Sequence, residues 1–437
     1  MAAQVTTRRP VHSRGIHHAR RLHGRSIALI LVVGGGLLGW FLPLWERHLP
    51  TPGLGFDTST AQATLASVAG SMITLAGFIV TAITLIVQTV QAMSPRLVAA
   101  LGHFSRYLVL FGLLIGTALY ALVTLSHVRG DSVPRLSVTL AVVLVLLDAV
   151  IVLRLLASLR HAVTGGGLSR AVGERLRAAI DLAHPAAAET GPEPRPFHED
   201  QVNSFPAVHR GRPSTITWID EERITRLAAR HHVRIRLTHA VGDFAGTGQV
   251  VADVEAEGTD TDPRLARRVS ACIRYGPSRS LRQDAAYGLR LLADIAIRAL
   301  SPGINDPTTA VQALDQIENA LLRLAHRPLG PVWLVDAHDT PRVRLHAPQW
   351  EDLVSLALDE TLLYGSSTPQ TVRRLNALLL SLLSAAPPSR RPPITDRAEA
   401  LERLAAARLP DPLLHHVASQ PDRQGLGGTA APQDTSE

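Results

Sequence analysis

The sequence predicts an α-helical, multi-pass membrane domain of four transmembrane helices followed by a C-terminal α+β cytoplasmic domain. Three observations carry that prediction. Four apolar segments, residues 26–44, 65–90, 107–125 and 136–156, are long enough at ~1.5 Å rise per residue to cross a bilayer core of ~30 Å. Of 437 residues, 46% are apolar and only 19% charged, a high apolar share for a wholly soluble chain. Beyond residue 160 the pattern changes to short alternating runs, capped amphipathic stretches and proline-glycine breaks, as in a folded soluble region.

Residues 1–25 are a polar, arginine-rich tail (Arg8, Arg9, Arg14, Arg20, Arg21, Arg25), expected to be disordered. Residues 26–160 make up the membrane domain. The first span, Ser26 to Leu44, lacks a following A-x-A cleavage site and reads as an uncleaved helix rather than a signal peptide. Its Gly35 and Gly39 let another helix approach, while Trp40 and Trp45 suit an interfacial belt. The second span, Leu65 to Val90, carries no charge. Within and just beyond it Gly70, Thr74, Gly77, Thr81, Thr84, Gln88 and Gln91 recur at alternating spacings of four and three, one seam of a helix. Such a small, polar seam either packs closely against another helix or lines a watery path, and both readings stay open.

After it, Ser94-Pro95-Arg96 predicts a bend and a restart. Leu97, Val98, Leu101 and Phe104 then share a face opposite Arg96, His103 and Arg106, as in a short helix lying in the membrane surface. The third span, Tyr107 to Leu125, holds a second glycine pair, Gly112 and Gly116. The fourth, Leu136 to Leu156, contains Asp148. A charge inside a span costs ~2.5–3.5 kcal/mol on insertion scales unless paired or wet. Asp148 is therefore either a proton or cation site facing the bundle interior, or an acid near the inner third of the helix that bonds a neighbouring hydroxyl or arginine. Arginines in the tail and at Arg96, Arg106, Arg154 and Arg160 outweigh those at Arg47, Arg129 and Arg135, which puts both termini in the cytoplasm.

Residues 161–213 are expected to be a helix broken at Gly165 to Gly167 and a proline-rich linker, and residues 214–410 a soluble α+β domain. Thr215 to Ile219 reads as a strand, Asp220 as the cap of a helix to Arg230, and the runs from Val233 and Gly248 as strands turned at glycines. Asp284 to Arg327 reads as helix, tight loop, helix: Ser301-Pro302-Gly303 stops the first, and Asp306 with Pro307 starts the second. Arg290, Asp294 and Arg298 stand at i, i+4 spacing and can form a ladder on one face. Asn305 and Asp306 either cap the two helices or offer a loop to a ligand or partner. Two short strands, Val332 to Val335 and Arg342 to Leu345, precede helices near residues 350–364, 369–385 and 395–408. Residues 411–437 are expected to form a disordered tail.

Composition excludes several chemistries. Every basic residue is arginine, so a Walker lysine, a Schiff-base lysine and a lipoyl or biotinyl lysine are absent. The single Cys272 leaves no internal disulfide and no multi-cysteine metal site. The pairs His17-His18, His231-His232 and His415-His416 point to different faces without a carboxylate at ligand spacing, so no metal or other cofactor is expected. The net charge of +7 sits largely beside a membrane helix, and no nucleic-acid partner is expected.

The run DIAIRALSPGINDPTTA, with SMITLAGFIVTAITLIVQ, QAMSPR, LIGTALYALVTL and GDFAGTG, resembles the domain-of-unknown-function 2254 family of predicted bacterial membrane proteins, from the first span to about Ser384. That resemblance implies a multi-pass protein of the bacterial inner membrane with a large soluble region, and it brings no catalytic residues. The chain departs from the family pattern at Ala245, where a valine is usual, and at Asp148, in a span usually neutral. Three functional readings follow. The first is an oligomeric channel or transport-related protein, a homo-oligomer in the lipid bilayer with a cytoplasmic regulatory domain. The second is a membrane-anchored scaffold or sensor whose soluble domain binds a ligand or partner. The third, a hydrolase, requires Asp284, Asp294, Arg298 and Asp306 to converge in one pocket.

Overall fold

The computed structural model describes residues 4–11, 18–46, 55–93, 104–129, 133–163, 166–186, 189–192, 202–257 and 263–426. The chain divides into two compact units, one of residues 14–164 and one of residues 1–13 with 165–437.

The first unit contains four long helices: α1 His18–Glu46, α2 Thr58–Met93, α3 Phe104–His127 and α4 Arg135–Val163. Each holds a stretch long and apolar enough to cross a membrane, namely Gly24–Glu46, Thr58–Leu85, Tyr107–His127 and Arg135–Ala157. The bend at Ser94-Pro95-Arg96 and the surface helix expected through Leu97, Val98 and Leu101 lie outside the described residues. α1 packs along α3 through glycines. A Cβ at Gly112 would sit 2.6 Å from the Ala28 Cα, one at Gly116 would sit 2.6 Å from the Leu31 carbonyl, and one at Gly35 would overlap the Gly116 carbonyl. Only glycine permits this approach of two backbones. α2 packs on α3 with the face bearing Leu65, Ala69, Met72 and Ala76, all buried against Leu110, Leu114, Ala118 and Ala121. At the end of α1, Glu46 caps α4: its carboxylate accepts from the backbone N–H of Leu136 at 2.6 Å and of Ser137 at 3.1 Å, and from Ser137 Oγ at 2.9 Å. An anion at a helix N-terminus meets both free donors and the favourable end of the dipole.

The second unit is α+β. A mixed seven-stranded sheet has the order β2-β1-β9-β10-β5-β7-β3, with β1 Gln4–Arg8, β2 Glu189–Pro192, β3 Val202–Val208, β5 Val233–Leu237, β7 Val250–Glu257, β9 Val332–Val335 and β10 Pro341–Leu345. A smaller sheet places β4 Ser214–Ile219 between β6 Phe244–Ala245 and β8 Ile273–Gly276. Ile216, Ile224, Ile235, Val254, Val269, Leu334 and Val343 close the core between strands, α6 Glu221–Arg230 and α7 Pro263–Ser270. A helical layer completes the unit: α5 Gly167–Ala183, α8 Ala285–Ala299, α9 Pro307–Leu324, α10 Trp350–Gly365, α11 Pro369–Ala385, α12 Pro392–Arg408 and α13 Pro412–Ser419.

Three expectations need correction. The basic tail is not wholly disordered: Gln4–Arg8 is a strand, parallel to β9 and antiparallel to β2, and helix α1 already begins at His18. Arg8 makes the strand possible, because its charge is buried against Glu221 rather than left in solvent. The stretch read as a linker contains β3, which pairs along its length with β7. The C-terminal tail carries α13, capped by Asp411, whose carboxylate accepts from the Leu414 N–H at 3.0 Å.

Candidate functional site

Three places gather the residues singled out by the sequence. On α2, Gly70, Thr74, Gly77, Thr81, Thr84 and Gln88 all lie on the exposed side of the helix, opposite the face that packs on α3. Gly70 and Gly77 have open space where a Cβ would stand. The hydroxyls are held by their own helix: Thr74 Oγ1 donates to the Gly70 carbonyl at 2.8 Å, Thr81 to Gly77 at 3.1 Å and Thr84 to Val80 at 2.9 Å. Back-bonding of this kind lets a hydroxyl sit in an apolar medium and turn toward another partner. Gln91 continues the same helix, and its side chain lies outside the described residues. The exposed faces of α1 and α4 present Ile30, Leu37, Phe41, Val143, Leu146 and Leu153, and α2 exposes Ile73, Phe78, Val80 and Leu85 beside its seam.

The seam is longer than the sequence reading made it. Ala63 and Ser67 precede Gly70 at the same spacing of four and three, and with Ser59, Thr60, Thr64 and Ser71 they border an open groove at the start of α2. Their signal was present in the spacing. It was cut off because the span was begun at Leu65, whereas the apolar stretch of the helix runs from Thr58.

Asp148 lies on α4, fully buried, and neither carboxylate oxygen has a hydrogen-bond partner. Thr117 of α3 is the polar side chain that faces it. Thr117 is the middle residue of the third span, Tyr107–His127, and Asp148 stands two residues past the middle of the fourth, Arg135–Ala157. The acid is thus central rather than in the inner third, and no arginine among the described residues pairs with it.

In the α+β unit the SPGINDP loop is exposed. Asp306 caps α9, accepting from the Thr309 N–H at 3.0 Å and Oγ1 at 2.5 Å, and its own N–H donates to the Ala299 carbonyl at 2.7 Å. Ser301 Oγ donates to the Arg298 carbonyl at 2.7 Å. Asn305 turns the chain with φ of 48°, a left-handed conformation that asparagine tolerates better than most residues. Pro302 and Gly303 project into solvent, and Ile304 beside them is 46% exposed. The ladder is partial: Arg290 pairs with Asp294 at 2.9 Å and with Glu360 at 2.5 Å, while Arg298 makes no ion pair among the described residues. Asp284 is drawn elsewhere, buried against Arg279 at 2.8 and 2.9 Å while capping α8 through the Tyr287 N–H. Burial pushes the Asp284 carboxyl above its ordinary value, although Arg279 pulls the other way. Of the four residues that a hydrolase would need, Asp284, Asp294 and Asp306 therefore have separate partners, and none of these contacts joins them to each other or to Arg298.

A cavity that sequence reasoning missed lies in this unit, lined by the polar side chains of Arg8, His184, Glu221, Gln283, Asp284 and His346 and by apolar residues such as Ile219, Val241 and Leu345. Arg8 grips Glu221 through both guanidinium nitrogens at 2.7 and 2.8 Å. Gln283 Nε2 donates to the same carboxylate at 3.2 Å, and its Oε1 accepts from the Ile219 N–H at 2.9 Å. Burial, with the charge of Arg8 next to it, pushes the His184 imidazole down to about 4. The six residues are scattered over β1, the end of α5, the start of α6, the entry to α8 and the exit of β10, so no local spacing announces them.

Comparison with known proteins places most of this chain in one family. The profile of a family described as predicted membrane protein, DUF2254, matches residues 26–381. Uncharacterized protein Mb1321c of Mycobacterium bovis and uncharacterized protein Rv1290c of Mycobacterium tuberculosis are each 26% identical over 288 residues, 64% of this chain and 55% of the relative. The match thus spans about half the length of these curated relatives. No solved structure matches the chain.

Proposed function

Because the chain belongs to the DUF2254 family of predicted membrane proteins, we propose that it acts as an oligomeric channel or transport-related protein of the bacterial inner membrane. In this reading α2 meets its copies in a homo-oligomer, its seam lines or borders the pathway, and the α+β unit gates or assembles it. The observation that carries the reading is the exposure of the seam. A stripe of Gly, Thr and Gln turned away from its own bundle has no helix packed on it among the described residues; Ile73, Phe78, Val80 and Leu85 are exposed on the same helix, and the outward residues of α1 and α4 are bulky and apolar. Lipid suits the second surface; close helix packing or water suits the first.

The same reading puts both termini in the cytoplasm. Four spans return the chain to its starting side, and β1, which precedes the first span, is paired in one sheet with strands that follow the fourth. The arginine excess in residues 8–25 fits the positive-inside rule.

Ion flux through liposomes containing the full chain tests the proposal, with wild type compared against Thr84→Leu and Gln88→Leu. Flux that both substitutions reduce is the expected result, since leucine there dries a narrow path. Absence of flux under voltage, tension or pH steps, with both variants folding normally, assigns the seam to packing alone. It then favours the second reading, a membrane-anchored scaffold or sensor, for which the cavity around Arg8, Glu221 and Gln283 is the supporting observation.

A further inference from the structure

Asp148 has no structural employment. A buried carboxyl normally gains hydrogen bonds or an opposite charge, and one that has neither costs several kcal/mol if ionised. Here both oxygens are unpartnered at 0% exposure. The elements packed on α4 offer no counter-charge at that level: α3 presents Thr117 and Tyr120, α2 has no ionisable residue at all, and the acid of α1 is Glu46 at the far end. Arg154 on α4 itself is exposed and lies on another face. Polar groups are also unevenly distributed around the acid. Toward the start of α4 lie the Thr124 hydroxyl, unpartnered and buried, then Tyr120 Oη, which donates to the Ser137 carbonyl at 2.9 Å, and then Ser137 Oγ on Glu46. In the other direction α3 is wholly apolar from Leu108 to Ile115 apart from its backbone, so the asymmetry lies on α3; α4 is apolar on both sides of the acid, from Leu140 to Leu147 and from Ala149 to Leu153.

We propose that Asp148 is a proton-binding site of the membrane unit, exchanging its proton through the polar end of the α3–α4 interface that Glu46 marks. Uptake of one proton converts the carboxylate to the neutral acid, and release returns it; no other bond changes. The site is buried inside one subunit, whereas the α2 seam is exposed, so it does not rest on the pore reading.

Infrared spectroscopy of the full chain in liposomes tests it, because a neutral carboxylic acid has a carbonyl stretch distinct from that of a carboxylate. Wild type minus Asp148→Asn is expected to contain one such band, which shifts in heavy water. Tyr120→Phe, which removes the hydroxyl nearest the polar end, is expected to slow that shift, whereas Val150→Ala, on the exposed face of α4, leaves its rate unchanged. A difference spectrum without a neutral-acid band at any pH overturns the site. A band whose exchange rate ignores Tyr120→Phe overturns the route. Neither result depends on ion flux, so this proposal and the pore reading fail separately.

Discussion

The α+β unit and the membrane unit treat buried charge in opposite ways. In the former, every buried charged side chain among the described residues faces an opposite charge. Arg8 has Glu221, Asp284 has Arg279, Asp336 has Arg342, Arg373 has Asp422, and Arg374 has Asp315 and Glu318. In the latter, Glu46 is satisfied by the start of α4, but Asp148 has no opposite charge among the described residues and faces only the Thr117 side chain. Small residues also divide within the bundle: Gly35 and Gly39 of α1 and Gly112 and Gly116 of α3 are in contact, whereas Gly70 and Gly77 of α2, like Gly34 and Gly36 of α1, meet open space. Protein folding removes unpaired charges and unfilled helix grooves when they bring no benefit. A buried carboxyl without an opposite charge and a polar seam without a packed neighbour are therefore features for which stability supplies no reason.

The sharpest way to break that comparison is to remove one acid from each unit. Glu221→Ala strands the Arg8 guanidinium in the interior, and losing one partner of a buried pair typically costs about 3–5 kcal/mol. Asp148→Leu strands no opposite charge, and its expected effect is within about 1 kcal/mol or stabilising. Thermal unfolding of both variants in detergent measures the difference. Equal destabilisation would mean that Asp148 has a structural partner after all.

A somewhat smaller effect comes from His184, the buried imidazole beside Arg8. Its folded value of about 4 lies below its ordinary 6.5, so between those pH values the unfolded chain binds more protons than the folded one. Stability is then complete above pH 6.5 and declines as the pH falls toward 4, by up to about 3 kcal/mol. Denaturation of the α+β unit within the full chain at pH 7 and pH 4.5 should reveal the loss, and His184→Gln should flatten it. A wild-type slope unchanged by the substitution would assign the acid sensitivity to another group.

The degree to which these features were legible in the sequence follows from their range. The four spans, the caps at Asp220 and Asp306, and the helix-loop-helix around SPGINDP depend on residues within one or two turns of each other, and each was readable from spacing, whereas the cap at Asp284 went unread. The strand at Gln4–Arg8 was not, because its stability comes from pairing with Val332 to Leu334 and from Glu221, over 200 residues away. Composition alone made that stretch a solvated tail. The cavity is illegible for the same reason. The α2 seam was legible as a pattern but not as a surface: Gly35 with Gly39 and Gly112 with Gly116 stand four apart, as Gly70 and Thr74 do, and only the packing distinguishes the pairs.

That distinction supplies the finest test. Gly35→Leu drives a side chain into the α3 backbone at Gly116 and is expected to destabilise the subunit by about 1–3 kcal/mol, or to prevent the bundle from forming. Gly77→Leu meets open space within the subunit, so its effect on subunit unfolding is expected to stay within about 0.5 kcal/mol. What Gly77→Leu should change is association, because leucine at a close-packed crossing holds two helices apart. Sedimentation of the two variants in detergent, read beside their unfolding curves, separates these effects. A Gly77→Leu protein that unfolds normally and sediments as a smaller particle places α2 between subunits. If it unfolds normally and keeps its size, the seam lies off the subunit contact, and lining a water-filled path remains as the reason for a small, hydroxyl-bearing face with no neighbour.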